Sequence, residues 1–184
     1  MAELIASRRV LVSKYAPPGR WAEFGVERGV FSREMLKRSD VNELWLIDCW
    51  GPYPDADPRD PAALDAEIGE SIYNDIVNTV GRDSRVRIVR ELIETAAAGF
   101  PREFFDFVYL DAGHKYEHVK RHLGLLYGLV RKGGMLAGHD YWRAEGCPWI
   151  DVKRAVDDFC REHGIAIAII TDEPCGSFAI IKAH

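Results

Sequence analysis

Short apolar runs alternate with amphipathic stretches along almost the whole chain. Arg20 to Phe24, Glu43 to Ile47, Val86 to Arg90, Phe105 to Leu110 and Met135 to Ala137 have the length and β-branched or aromatic bias of buried strands. Between them the apolar period changes to that of helices. Phe31 to Lys37 reads as one short helix. Ile68, Ile72, Ile76 and Val80 recur every fourth residue, which marks one helical face ended by Gly81. Tyr116 to Val130 places Val119, Leu123, Leu126 and Val130 on one side, with Gly133-Gly134 as the stop, and Val152, Ala155, Val156, Phe159 and Cys160 form a further stripe. Ile165 to Ile170 and Ser177 to Lys182 straddle the turn Asp172–Gly176 and predict a closing hairpin. Residues 1–12 are expected to form a short helix, broken at Ala16-Pro-Pro-Gly19.

Five strand–helix units followed by a hairpin predict an α/β fold: a Rossmann-like, doubly wound, mostly parallel sheet of seven strands with a C-terminal antiparallel hairpin. No repeat or linker interrupts the pattern, so residues 1–184 read as a single domain. Parallel sheets of this kind bind ligands beyond the carboxyl ends of their strands. The residues just after each strand are therefore the ones to read for chemistry.

Composition narrows the classes. The net charge of −5 speaks against nucleic acid or an anionic membrane surface as partner, and the 47% hydrophobic content is ordinary for a globular core. Cys49, Cys147, Cys160 and Cys175 are widely spaced, which fits free thiols better than a zinc site or a disulfide scaffold. The N-terminal residues lack a secretory pattern and no apolar run spans a bilayer, so a cytoplasmic protein is the expectation.

Three strand ends carry candidate chemistry. After the first strand, Gly25 and Gly29 are spaced G-x-x-x-G, unlike the G-x-G-x-x-G that cradles a pyrophosphate. Such a turn suits a ligand without phosphate, or close packing alone. Asp48 ends the second strand at the ~20-residue spacing of a carboxylate that accepts from ribose hydroxyls, and otherwise reads as a solvated turn residue. The fourth and fifth strands end in Asp111-Ala-Gly-His114 and Gly138-His-Asp-Tyr141. There an imidazole of ordinary pKa near ~6.5 can act as general base, and two carboxylates can hold a cation against neighbouring hydroxyls. The bland alternative is a helix cap and a turn.

The run Tyr109-Leu-Asp-Ala-Gly-His-Lys-Tyr-Glu117, with Arg131-Lys-Gly-Gly-Met-Leu-Ala-Gly-His-Asp-Tyr141, resembles the small class I methyltransferases that use S-adenosylmethionine (SAM), nearest to the branch of sugar O-methyltransferases of natural-product pathways. The resemblance runs from Trp21 to about Ile181. It implies methyl transfer to a small-molecule acceptor, with Glu23, Gly25, Gly29, Asp48 and Asp111 at the cofactor. It implies His114 as general base, and Asp111, His139 and Asp140 as ligands of a divalent ion such as Mg²⁺ or Mn²⁺ where one is used. His139 stands where an oxygen ligand is usual, which favours Mn²⁺, Fe²⁺ or Zn²⁺ over Mg²⁺ and leaves open whether a metal is present. Glu91-Leu-Ile-Glu94 lacks the small residues common at the adenine site.

The loops Gly51–Pro61 and Tyr141–Trp149 flank the expected site. The second offers aromatic faces; the first is a candidate lid or contact in a homo-oligomer. Two other classes compete: a nicotinamide-dependent oxidoreductase, disfavoured by the missing G-x-G-x-x-G, and a non-catalytic SAM-binding domain.

Overall fold

The five inner apolar runs all become strands. In the computed structural model, which describes residues 1–54, 56–57, 59–60, 64–142 and 147–183, they are β2 (Gly19–Phe24), β3 (Val41–Asp48), β4 (Val86–Arg90), β5 (Phe105–Leu110) and β6 (Val130–Gly138), with β1 (Glu3–Ile5), β7 (Ile169–Thr171) and β8 (Phe178–Ile181) outside them. These eight strands, counted among the described residues, form one sheet in the order β1-β7-β8-β6-β5-β2-β3-β4. β8 alone runs antiparallel, to β6 on one side and β7 on the other. The α/β sheet and its closing hairpin are as the hydrophobic pattern implies.

Side-chain alternation divides the core between the two faces. Trp21, Leu44, Leu46, Phe107 and Tyr109 pack with Phe31, Met35, Ile72 and Ile76, from α2 (Val30–Met35) and α3 (Ala66–Asn78). Ala22, Phe24, Ile47, Val108 and Leu110 pack against α4 (Ile93–Ala98), α5 (Tyr116–Leu129) and α6 (Val152–His163). Strands buried on both sides read as continuous apolar runs, which is why they were visible in the sequence. From β2 the chain winds outward to β3 and β4, then returns to place β5 on the other side of β2. The strand order reverses between β2 and β5, and a crevice opens at their carboxyl ends.

The pattern misreads the ends. Residues 3–5 are a strand, not part of a helix: Glu3, Leu4 and Ile5 pair in parallel with Ile169, Ile170 and Thr171, making eight strands rather than seven. The helical segment starts later, as α1 (Arg8–Val10), capped by Ser7 and continued by a wider π turn over Leu11–Tyr15. At α5, the chain enters β6 directly at Val130, so Gly133 and Gly134 lie within the strand and do not stop the helix. Gly134 is needed there because a Cβ would stand 2.7 Å from the Asp106 carbonyl oxygen. Among the described residues, no helix is long and apolar enough to cross a membrane.

Candidate active site

The turn after β2 is shaped by contacts within the protein. Gly25 has φ +90°, and a Cβ there would lie 1.9 Å from the carbonyl oxygen of Asp111. Only glycine lets the ends of β2 and β5 approach so closely. Gly29, at φ +64°, heads α2 and abuts Ile76 and Val80. Gly25 borders the crevice, whereas Gly29 faces the core behind it.

Asp48, at the end of β3, accepts hydrogen bonds from the backbone amides of Val26 (2.8 Å), Glu27 (3.0 Å) and Trp50 (2.8 Å). The turn amides that a pyrophosphate would need are thus directed to the protein's own carboxylate. Glu23 lies one residue before the end of β2, almost wholly buried, and accepts from Ser32 Oγ of α2. Burial pushes its carboxyl up to about 8, with the Ser32 hydrogen bond opposing and the Asp111 carboxylate adding to the rise.

Asp111 ends β5, and His139-Asp140 follow β6. One donor atom from each of the three lies within 4.8 Å of the others, so two carboxylates and an imidazole converge as a cation site would require. Asp140 adopts φ +57°, a left-handed conformation uncommon outside glycine, asparagine and aspartate. His114 is clamped between two carboxylates: Nε2 is 3.0 Å from Asp140 Oδ2 and Nδ1 is 2.8 Å from Asp60 Oδ2. Burial opposes a charge on this ring, but the hydrogen bonds to Asp140 and Asp60 prevail and raise it to about 10. Asp140 is held well below the ordinary carboxylate range: burial works to raise it, and hydrogen bonds from His114 and His139 overcome that. Asp111 moves the other way, raised chiefly by burial although His139 opposes.

Glu23, Gly25, Asp48, Asp111, His114 and the His139-Asp140 pair border one cavity of about 450 Å³, within the size range of small-molecule sites, and Gly29 does not. Glu91, Leu92 and Ile93 also line it, as do Tyr53, Asp60, Leu64 and Trp149. Of the aromatic residues expected near the site, Trp149 is on the wall. Tyr141 instead lies in the core with its hydroxyl donating to Asp157, and Trp142 packs against Gly176. Arg143 to Gly146 in that loop, and Asp55, Pro58 and Pro61 in the other, lie outside the described residues.

Sequence reasoning missed two charged residues. Asp60 is one of several aspartates in a proline-rich loop, and nothing in its neighbours marks it as the partner of His114. Arg8 belongs to the segment read as a plain helix, yet its Nη1 is 3.1 Å from Asp111 Oδ2 and its guanidinium lies over the Phe31 ring.

Comparison with known proteins agrees with this geometry. Residues 22–141 match a family described as a methyltransferase domain. No curated protein matches the chain. Among solved structures, a protein of Corynebacterium glutamicum superposes with a TM-score of 0.66 at 16% identity, covering 96% of this chain and 80% of that one. The O-methyltransferase NovP superposes with a TM-score of 0.64 at 21% identity, covering 95% and 75%. Spermidine synthase of Thermotoga maritima gives 0.59 at 14% identity, covering 97% and 58%. These likenesses establish the fold, and the family match spans β2 to the residues just after β6, which carry the whole strand-end site. The chain belongs to the methyltransferase-domain family, as a class I SAM-dependent methyltransferase.

Proposed function

We propose that the chain transfers the methyl group of SAM to a hydroxyl of a small molecule, a sugar or another natural product bearing neighbouring hydroxyls. The observation that carries this reading is the convergence of Asp111, His114, His139 and Asp140 on the wall of the cavity opened by the glycine turn. Glu23, Gly25, Asp48 and Asp111 would hold the cofactor, with Gly29 supporting the turn from behind. In the transfer, the acceptor oxygen bonds to the methyl carbon as the carbon–sulfur bond breaks, and its electron pair stays on sulfur. The hydroxyl proton must leave as the bond forms, and an alcohol does not ionise unaided at neutral pH.

His114 is the proposed proton acceptor. Asp60 and Asp140 fix both ring nitrogens, so the imidazole cannot turn away from the cavity. The same carboxylates keep a proton on the ring in the ligand-free site, and that proton must be shed first. An acceptor hydroxyl that takes the place of Asp140 at Nε2 removes one of the two contacts retaining it. Asp111, His139 and Asp140 fit a divalent cation that tolerates nitrogen, such as Mn²⁺, and a bound cation would fix neighbouring hydroxyls and stabilise the developing alkoxide.

Calorimetric titration with SAM, with and without Mg²⁺ or Mn²⁺, tests the cofactor, and absence of SAM binding would overturn the reading. Release of S-adenosylhomocysteine against a panel of sugars and polyols tests the acceptor class. His114→Gln should keep SAM affinity while turnover drops by about 10²–10⁴-fold. Full turnover in that variant would remove His114 from the chemistry.

A further inference from the structure

We propose that Arg8 binds the α-carboxylate of SAM, so that the N-terminal strand and helix form part of the cofactor site. This rests on reading the cavity as a SAM site. The methionine end of SAM carries a carboxylate, an ammonium and a sulfonium. A carboxylate taken out of water needs a cation or several donors, since burying it unpaired costs far more than the pocket could return. At the reversal between β2 and β5 the wall offers Asp111, which suits a positive group and repels a negative one, and the carboxyl of Glu23, which keeps its proton near neutral pH and supplies no positive charge for a carboxylate.

Three Arg and Lys side chains border the cavity among the described residues. Arg28 is mostly exposed and lies 3.6 Å from Glu27, and Lys115 stands just before α5, beyond His114. Arg8 is the one at the Glu23–Asp111 end. It is held there by structure on either side: its backbone N–H donates to Glu173 Oε1 at 2.6 Å, and β1, just before it, is hydrogen-bonded along β7. The guanidinium rests 4.7 Å above the Phe31 ring centroid. Its ion pair with Asp111 is made through Nη1, and a guanidinium carries five N–H donors in a planar fork suited to a carboxylate. Arg8 also precedes the residues that match the family, so this contact is a feature of the chain's own N-terminal segment.

The test compares SAM with decarboxylated SAM, which keeps the adenosine, the sulfonium and the amine. By calorimetry the native protein should bind SAM about 10- to 100-fold more tightly, the range for one buried charge-assisted pair. Arg8→Gln and Arg8→Ala should bring SAM down to the affinity of the decarboxylated ligand and change the latter by less than about 3-fold. Arg8→Lys should recover part of the preference, because it restores the charge without the fork. The assignment is overturned if the variants keep the preference, or if both ligands weaken by one common factor, as a purely structural role would cause. A native protein without preference between the ligands overturns it with no variant needed. A native protein that binds neither overturns the SAM reading itself, whereas SAM affinity that survives loss of Arg8 overturns only its assignment.

Discussion

Glu23 is 1% exposed, and burial raises its carboxyl from 4.5 to about 8. Between those values the folded protein keeps a proton that the unfolded chain has released. Stability contributed by this group is therefore complete below pH ~4.5 and is lost as pH rises through about 8. Glu23→Gln, which cannot ionise, should remove that slope. In urea unfolding at pH 5 and pH 9, the native protein should lose on the order of 3–5 kcal/mol more between the two values than the variant does. Parallel losses would mean that Glu23 ionises freely in the folded state. A second residue-scale expectation concerns Gly25. Its φ of +90° and the Asp111 carbonyl 1.9 Å from any Cβ leave no room for alanine, so Gly25→Ala should cost roughly 2–5 kcal/mol in the same assay. Neither effect could be read from the glycine spacing, which says nothing of what stands opposite the turn.

At the scale of elements, the loop after β3 is tied to two helices through one side chain. The Tyr53 hydroxyl is 3.3 Å from Glu94 Oε1 of α4 and 3.1 Å from His122 Nε2 of α5. His122 has no exposed surface, and its Nδ1 has no hydrogen-bond partner among the described residues. Burial lowers the ring to about 4, with Glu94 opposing. For a histidine depressed from 6.5, the unfolded chain takes up the proton first, so stability present above pH 6.5 falls as pH drops toward 4. The loss should amount to roughly 3 kcal/mol and should largely vanish in His122→Gln, as thermal melts at pH 4.5 and 7.5 would show. An equal loss in the variant would place the acid sensitivity elsewhere. Tyr53→Phe removes the loop's hydroxyl tie and should weaken acceptor binding more than SAM binding, because Tyr53 sits over the His114 side of the cavity beside Gly113. Comparing SAM affinity with the acceptor KM would separate the two. The apolar stripe of α5 predicted this helix; the histidines on it gave no sign that they meet a loop from some 70 residues earlier.

For the whole molecule, binding and stability are linked. A ligand that binds only the folded chain stabilises it by about 2.7 kcal/mol at 100 times its Kd, which for a domain of this size raises Tm by roughly 5–10 °C. SAM should produce such a shift by itself. A divalent cation should add to it only if Asp111, His139 and Asp140 take one up, and Asp140→Asn should abolish that increment. A Tm unmoved by saturating SAM would contradict the proposed cofactor. The metal increment should also grow in the presence of SAM if the cofactor draws Arg8 away from Asp111, because coupling between two ligands is reciprocal.

What the sequence by itself determined follows from local periodicity. Strands buried on both faces must be apolar throughout, and helices packed on one side must carry a stripe, so β2 to β6 and α3, α5 and α6 could be found within a few residues. The acidic and imidazole groups at strand ends were legible for the same reason: a parallel sheet sends every such end to one edge. Tertiary structure decided the rest. β1 exists because β7 offers an unpaired edge to residues 3–5, a pairing across the length of the chain that no local pattern encodes. Asp60 and Arg8 become parts of the site because a loop and an N-terminal segment fold over the sheet's edge, bringing Asp60 to His114 and Arg8 to Asp111. Their role depends on what lies across the cavity, and the linear sequence does not record that.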